Sequence, residues 1–145
     1  MYGGGGDDYI DGGYEHDILY GNSGNDTLIG GHGNDLLRGG PGRDTFKYKY
    51  ASESSVATFY PGDTILDFSS VDFMDLSAID ADPRRAGNQA FRFLGQVSNP
   101  NKVGVGEIGV YRGDRGGIEI WADADKEMRI TLEGTWSIKS GQLIL

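Results

Sequence analysis

Gly21-Asn22-Ser23-Gly24-Asn25-Asp26-Thr27-Leu28-Ile29 is followed in the same phase by Gly30-Gly31-His32-Gly33-Asn34-Asp35-Leu36-Leu37-Arg38 and by Gly39-Gly40-Pro41-Gly42-Arg43-Asp44-Thr45-Phe46-Lys47. The nine-residue frame runs back through Gly12 to Tyr20 and Gly3 to Asp11. Its sixth position is Asp8, Asp17, Asp26, Asp35 and Asp44, and its eighth is Ile10, Leu19, Leu28, Leu37 and Phe46; neither series has a gap. A flexible Gly/Asp linker requires no aspartate at every ninth residue and no large apolar side chain two residues after it. A coiled chain that returns to the same place requires both.

Within each unit, six residues read as turn and three as strand. Glycine supplies the φ > 0 conformations that let a backbone curl tightly. The strand triplets are Tyr9-Ile10-Asp11, Ile18-Leu19-Tyr20, Thr27-Leu28-Ile29, Leu36-Leu37-Arg38 and Thr45-Phe46-Lys47. Side chains alternate along a strand, so Ile10, Leu28 and Phe46 should line one sheet and face Leu19 and Leu37 on another. That core is thin. Ordering the backbone costs about 1–2 kcal/mol per residue, so the repeats should stay unfolded unless something binds them. Hard cations favour oxygen, and Ca²⁺ accepts roughly six to eight oxygens from carboxylates and backbone carbonyls; the turns offer both.

Composition agrees. The chain has 145 residues, room for one ordinary domain or two small modules. Of 25 glycines, 14 lie in the first 44 residues, where seven aspartates also lie, whereas all 13 Lys and Arg stand at Arg38 or later. A net charge of -9 argues against nucleic acid or an anionic membrane as partner and for multivalent cations as counter-charge. There is no cysteine, so packing or metal must hold the glycine-rich half together. No stretch approaches the roughly 20 apolar residues that cross a bilayer, and no membrane insertion is expected. The N-terminus lacks the basic and apolar regions of a cleavable signal peptide, and Met1 precedes a repeat in mid-phase, which predicts a protein that continues upstream.

The units resemble the RTX nonapeptide G-G-x-G-x-D-x-U-x. The resemblance implies an all-β fold: a right-handed parallel β-roll of two-unit turns over residues 1–50, with Ca²⁺ between stacked loops, followed by a β-rich C-terminal cap over 51–145. Loops on one side then pair two units apart, Asp8 with Asp26, Asp26 with Asp44 and Asp17 with Asp35, and three ions lie between them. In the family one loop gives the carbonyls of positions two and four, the next those of positions one and three, and the position-six aspartates complete the shell. Carried over, the carbonyl donors are Gly4, Gly6, Gly13, Glu15, Gly21, Asn22, Ser23, Gly24, Gly30, Gly31, His32, Gly33, Gly39, Gly40, Pro41 and Gly42. Glu15 stands in for a fourth-position glycine and Asn22 for a second, so each brings a Cβ to a place that must curl. Pro41 takes the free third position, where a missing N–H costs nothing. His16 and His32 occupy different repeat positions and read as solvated loop residues, since zinc or copper needs roughly three or four convergent ligands.

Beyond Phe46 the period stops, and aromatic and β-branched runs bounded by Gly, Asp, Asn and Pro read as a β-rich cap over the open end of the stack. Candidate strands are Thr45 to Tyr50, Thr64 to Phe68, Ala90 to Leu94, Glu107 to Tyr111, Gly117 to Ala122 and Met128 to Leu132, with an irregular segment at Pro83-Arg84-Arg85. Asp63-Thr64-Ile65-Leu66-Asp67-Phe68, Asp72 to Ala81 and Ala90-Phe91-Arg92-Phe93-Leu94-Gly95 resemble the C-terminal domain of serralysin-type secreted metalloproteases. Phe73-Met74 and Trp121 to Lys126 depart from that pattern. Glu53 and Asp63 follow the last loop and are candidates to close a fourth or fifth ion site. Asp123, Asp125 and Glu127 lack the glycine and distal glutamate of an EF-hand and read as a solvated turn. The tail, Ser140 to Leu145, suits both a final core strand and a signal read by a type I exporter before folding.

No catalytic signature is present: H-E-x-x-H, G-x-S-x-G and a cysteine nucleophile are all missing. The fragment is expected to be non-catalytic, secreted and extracellular, a calcium-folded tail whose partners are calcium, a type I exporter and an upstream domain of the same protein, an enzyme by resemblance. The alternative is a polysaccharide-binding module of a glycan- or alginate-modifying enzyme, with Arg84, Arg85, Lys102, Arg112, Arg115, Lys126, Tyr111 and Trp121 as a candidate face for acidic polysaccharide.

Overall fold

A computed structural model gives the fold and describes residues 1–54, 62–82, 84, 86–99, 103–112, 117–123, 127–133 and 137–145, without the side chains of Asp123 and Glu127. A strand not expected from the sequence, β1 (Tyr2–Gly5), comes first, and short strands then form at the triplets: β2 (Tyr9–Asp11), β3 (Ile18–Ser23), β4 (Thr27–Ile29), β5 (Leu36–Arg38) and β6 (Thr45–Lys47). They stack in parallel two units apart, β1 on β3 on β5 in one sheet and β2 on β4 on β6 in the other. The register sets Ile10 beside Leu28, Leu28 beside Phe46 and Leu19 beside Leu37. All five are buried between the sheets, while the flanking Tyr9 and Ile18 face outward. The period-two alternation of the triplets therefore builds the two-faced core that the sequence predicts.

The stack does not end at Phe46. Strand β7 (Asp63–Ile65) lies parallel to β5 with Ile65 beside Leu37, and β8 (Phe73–Asp75) lies parallel to β6 with Met74 beside Phe46. Ile65 and Met74 are fully buried and lengthen the two inward rows. Thr64 N–H donates to Asp35 O and Phe73 N–H to Asp44 O, as Thr45 N–H does to Asp26 O within the repeats. Asp63 and Asp72 thus occupy the sixth position of two further units. The ladder step is 18 residues from Asp26 to Asp44 but 28 from Asp35 to Asp63 and from Asp44 to Asp72, so ten extra residues enter after Phe46 without shifting the pairing. A single turn of 3-10 helix, Ala51–Ser54, lies at the start of that insertion.

Four more strands prolong the first sheet: β9 (Arg92–Gln96), β10 (Glu107–Arg112), β11 (Ile118–Asp123) and β12 (Glu127–Leu132). The order is β1-β3-β5-β7-β12-β11-β10-β9, with β12 parallel to β7 and antiparallel to β11. The second sheet closes on β13 (Leu143–Ile144), giving β13-β8-β6-β4-β2. Each sheet therefore crosses residue 50 unbroken. Four of the cap strands, β9 to β12, fall within about two residues of their expected positions, the usual slack of strand ends, whereas the strand expected over Thr64 to Phe68 starts at Asp63 and stops at Ile65. The stretch expected to run from Thr45 to Tyr50 stops at Lys47, where the chain leaves the sheet for the insertion. β8 has no sequence counterpart, because the insertion hides its phase. Pro83 and Arg85 of the irregular segment lie outside the described residues. Ile108, Ile120, Met128, Ile130 and Leu132 from the cap join the roll's apolar row in one continuous core.

Candidate metal centre

Each repeat aspartate is fixed by the loop behind it. Asp8 N–H donates to Asp26 Oδ1 at 2.8 Å, Asp17 N–H to Asp35 Oδ1 at 2.8 Å and Asp26 N–H to Asp44 Oδ1 at 2.9 Å. The second oxygens have no such partner. Oδ2 of Asp8, Asp17, Asp26, Asp35 and Asp44 is buried and accepts no hydrogen bond. An ionised oxygen held dry and unpaired is costly. Burial raises the Asp35 carboxyl above its ordinary value and drives that of Asp44 up to about 6, with Asp72, Asp26 and Asp67 adding repulsion at Asp44. A row of such oxygens at a fixed interval calls for cations.

The loops bring carbonyls to the same gaps. A Cβ on Gly31 would meet Gly13 O at 2.1 Å, one on Gly33 would meet Glu15 O at 1.8 Å, and one on Gly42 would meet Gly24 O at 1.7 Å. Gly24 and Gly40 are covered in the same way by the carbonyls of Gly6 and Asn22. Second- and fourth-position carbonyls therefore reach across to the loop two units on, and only glycine there leaves them room. From the other side, Gly21 O, Gly30 O and Gly39 O come against Gly3, Gly12 and Gly21, beside Oδ2 of Asp8, Asp17 and Asp26. The third-position carbonyls of Ser23 and Pro41 accept the N–H of Gly6 at 2.8 Å and of Gly24 at 3.2 Å, and His32 N–H donates to Gly13 O at 2.7 Å. Gly4 is drawn into β1, paired with Asn22. Each gap gathers carboxylate and carbonyl oxygens and no softer donor, the set that suits Ca²⁺. Among the described residues no group of three or more His, Asp or Glu side chains forms a metal site. Such a group is not required where carbonyls make up most of the shell.

Glu15 and Asn22 are the two non-glycine residues described with positive φ, at 82° and 76°. Both hold the conformation expected of the glycine each replaces, and the strain falls more heavily on Glu15, since Asn tolerates this region better. Glu15→Gly is expected to raise the unfolding free energy of the calcium-loaded protein by about 0.5–1 kcal/mol, and Asn22→Gly by less. Thermal melts in excess calcium test this, and an unchanged or lower melting temperature for Glu15→Gly would show that the curl carries no strain.

The histidines have other duties. His16 Nδ1 accepts the Asn34 N–H at 2.8 Å, and His32 stacks on Tyr14 at 5.2 Å and on Tyr50 at 6.3 Å between ring centroids. The charge of His16 is felt at Asp35, but among the described residues no group of three or more His, Asp or Glu side chains could hold a metal ion.

At the junction with the cap, Glu53 and Asp63 are brought into one buried pocket with Asp35 and Tyr48. Asp35 N–H donates to Asp63 Oδ1 at 2.9 Å, while Asp63 Oδ2 and the Tyr48 hydroxyl are buried side by side, close enough for the phenol to favour the Asp63 carboxylate and partly oppose the effect of burial. Burial first, then the charges of Asp35 and Glu53, push Asp63 up to about 8, and burial with Asp63 beside it raises the Tyr48 phenol well above its usual value. The sign follows from these directions. The metal-free fold tolerates Asp44 and Asp63 protonated and loses that stability as pH rises through about 6 and about 8. A cation held by both carboxylates would require them ionised, and its apparent affinity should then fall as pH drops through the same values. Calorimetry near neutral pH in buffers of different ionisation enthalpy should register protons released on binding; calcium uptake with no proton release would contradict the raised values.

The sequence did not single out Asp72 as a ligand. Its signal was present: it stands nine residues after Asp63, and Met74 follows it at the same offset as Ile65 follows Asp63. Of the cationic face considered for polysaccharide, Arg85, Lys102, Arg115 and Lys126 lie outside the described residues, as does Asp125 of the turn likened to an EF-hand. Arg129, not among them, lies over the Trp121 ring with its guanidinium 5.5 Å from the centroid.

Residues 1–14 and 11–46 match the family model of the RTX calcium-binding nonapeptide repeat, described there as four copies. No curated protein matches the chain. Among solved structures, the R2 subunit of the AlgE6 mannuronan C5-epimerase of Azotobacter vinelandii is similar, at 26% identity and a TM-score of 0.63 over 98% of this chain and 90% of that one. The R3 subunit of the same epimerase is similar at 25% identity and a TM-score of 0.58, over 96% of this chain and 78% of that one. The stacked nonapeptides, the parallel roll and these likenesses agree: residues 1–46 are RTX calcium-binding nonapeptide repeats, and the chain has the β-roll fold of those subunits.

Proposed function

We propose that the module is the calcium-folded, non-catalytic C-terminal part of a secreted protein, in which the repeats bind ions outside the cell and residues beyond 50 serve as folding cap and type I export signal for an upstream enzyme. The observation that carries this is the file of buried, unpartnered Oδ2 atoms on the repeat aspartates, with those of Asp8, Asp17 and Asp26 beside the carbonyls of Gly21, Gly30 and Gly39 in the neighbouring loops. The Asp8–Asp26, Asp26–Asp44 and Asp17–Asp35 gaps take three ions, and the Asp35–Asp63 gap, with Glu53 beside it, takes a further one. The ligands are those aspartates and the loop carbonyls from Gly4 to Gly42 named from the sequence. Bound calcium supplies the positive charge that the ladder lacks; the chain's residues set where it sits.

In this arrangement Asp26 serves two gaps, with Oδ1 toward the loop of Asp8 and Oδ2 toward the loop of Asp44, whereas Asp8 serves one. Asp26→Ala should therefore lower calcium stoichiometry more than Asp8→Ala in calorimetric titration. Equal losses with the fold retained would defeat two-unit stacking. Export is tested separately, by deleting Leu143 to Leu145 from a fusion in a cell with a type I exporter. Reduced secretion is expected, and undiminished secretion would move the signal upstream.

The rival reading, a polysaccharide-binding module, is favoured by the likeness to subunits of a mannuronan epimerase. Affinity of the calcium-loaded module for mannuronan-rich and guluronan-rich alginate decides it: saturable binding supports that role, and its absence leaves the folding and export role alone.

A further inference from the structure

The inter-loop geometry continues past the last recognisable repeat. Asp44 is 1% exposed; its Oδ1 accepts the Asp26 N–H, and its Oδ2 is buried and accepts nothing. That oxygen lies 2.1 Å from where a Cβ on Gly39 would stand, as Asp26 Oδ2 lies 2.3 Å from the same point on Gly21. Asp26 Oδ2 faces the next repeat loop. The segment laid against the loop of Asp44 is instead Asp67 to Asp72, which lacks the glycines of a repeat loop.

That segment nonetheless carries the carboxylate part of the same equipment. Asp72, 3% exposed, accepts the Asp44 N–H on Oδ1 at 2.9 Å, the distance at which Asp44 Oδ1 accepts the Asp26 N–H. Asp67 falls at the first position, and its carboxylate accepts the N–H groups of Gly39 and Gly40 at 3.0 Å each, pinning the segment to the fifth loop. One difference marks the end of the ladder: Asp72 Oδ2 accepts the Ser69 N–H at 2.7 Å, so no bare oxygen is passed on.

The geometry points to a calcium site between the fifth loop and residues 67–72, with Asp44 Oδ2 and Asp72 Oδ1 as carboxylate ligands and the carbonyls of Gly40 and Gly42 from the loop. It rests on the calcium reading above and adds a site outside the nonapeptides. This site also holds the end of the chain. Gln142 Nε2 donates to the carbonyls of Ser69 at 2.8 Å and Asp72 at 3.3 Å. Leu143 and Ile144 pair with Met74 and Asp75, and Leu76 N–H donates to Ile144 O at 2.8 Å. An ion that fixes residues 67–72 fixes the strand that carries the C-terminus, which makes docking of that strand calcium-dependent.

The test is calorimetric calcium titration of the full chain and of Asp72→Asn, with hydrogen exchange at Leu76. Asp72→Asn should take up one ion fewer, retain the ions between the repeats, and exchange faster at Leu76 in saturating calcium. Because an Asn could disturb the contact with Ser69, a second measurement uses the unaltered protein: the Asp72 carboxyl carbon should shift on calcium loading, as that of Asp26 does. Undiminished stoichiometry in the variant, or an unmoved Asp72 carboxyl beside a shifted Asp26, overturns the site. Exchange at Leu76 that ignores calcium overturns the link to the C-terminus. Absence of any calcium uptake by the unaltered chain would instead defeat the reading of the whole roll.

Discussion

Excess EDTA added to the calcium-loaded protein is expected to abolish exchange protection across residues 9–47 and most of the strand signal in circular dichroism. The repeats enclose two short facing rows of five apolar residues in all, and their strands are three to six residues long, so sheet packing is a small part of what holds them. A site filled at a hundredfold excess over its dissociation constant contributes about 2.7 kcal/mol. Three or more such sites amount to about 8 kcal/mol, within the roughly 5–15 kcal/mol that a whole domain has to lose. Removing the ions also leaves Asp26, Asp35 and Asp44 buried with bare oxygens, a second penalty in the same direction. Extracellular calcium modules bind at about 10⁻⁴ to 10⁻³ M, so the same transition should appear on titrating calcium through that range. Slow-exchanging amides at Leu19, Leu28 and Leu37 in chelator would refute metal-coupled folding.

The second large effect is removal of everything after Tyr50. That truncation strips β7 from β5 and β8 from β6 and takes away Asp63 and Asp72. Leu37 and Phe46, both fully buried, would become the inner residues of open edges. The fragment is expected to remain largely unfolded even in excess calcium, because each lost apolar contact is worth about 1.5–3 kcal/mol and a repeat stack needs a finished end. A milder version keeps the chain whole: Met74→Ala hollows the contact with Phe46 and should cost about 2–5 kcal/mol. Cooperative, calcium-dependent folding of residues 1–50 alone would show that the repeats need no template.

How much of this was legible follows from where the period is intact. From Gly3 to Lys47 an eighth-position apolar residue and a sixth-position aspartate recur without interruption, so the strands and their facing rows could be read directly, while the aspartate pairs two units apart came from the resemblance to the RTX repeat. Ile65 and Met74 obey the same rule, but the ten-residue insertion breaks the count before they are reached, and Asp72 was consequently not recognised as a ladder residue. Glu53 was placed by its position after the last loop alone. The structure sets it beside Asp63 and Asp35 through the turn at Ala51–Ser54, a tertiary contact with no local pattern. Cap strands announced themselves by β-branched and aromatic runs, but not their order: that β12 rather than β9 would lie against β7 depends on packing of Ile130 and Leu132 onto the roll, not on chain sequence.

The parallel stacking of the two sheets also fixes how the module meets force. Met1 lies at the edge of β1, and Leu145 follows β13 at the far end of the opposite sheet, with the rungs between them. The interstrand hydrogen bonds run roughly along that line rather than across it. Tension applied between the chain ends therefore peels one rung at a time, as a zipper opens, instead of shearing every bond together. Rungs with an ion between their loops are the ones that should hold, and extension under load would advance in steps of one unit with calcium setting the height of each.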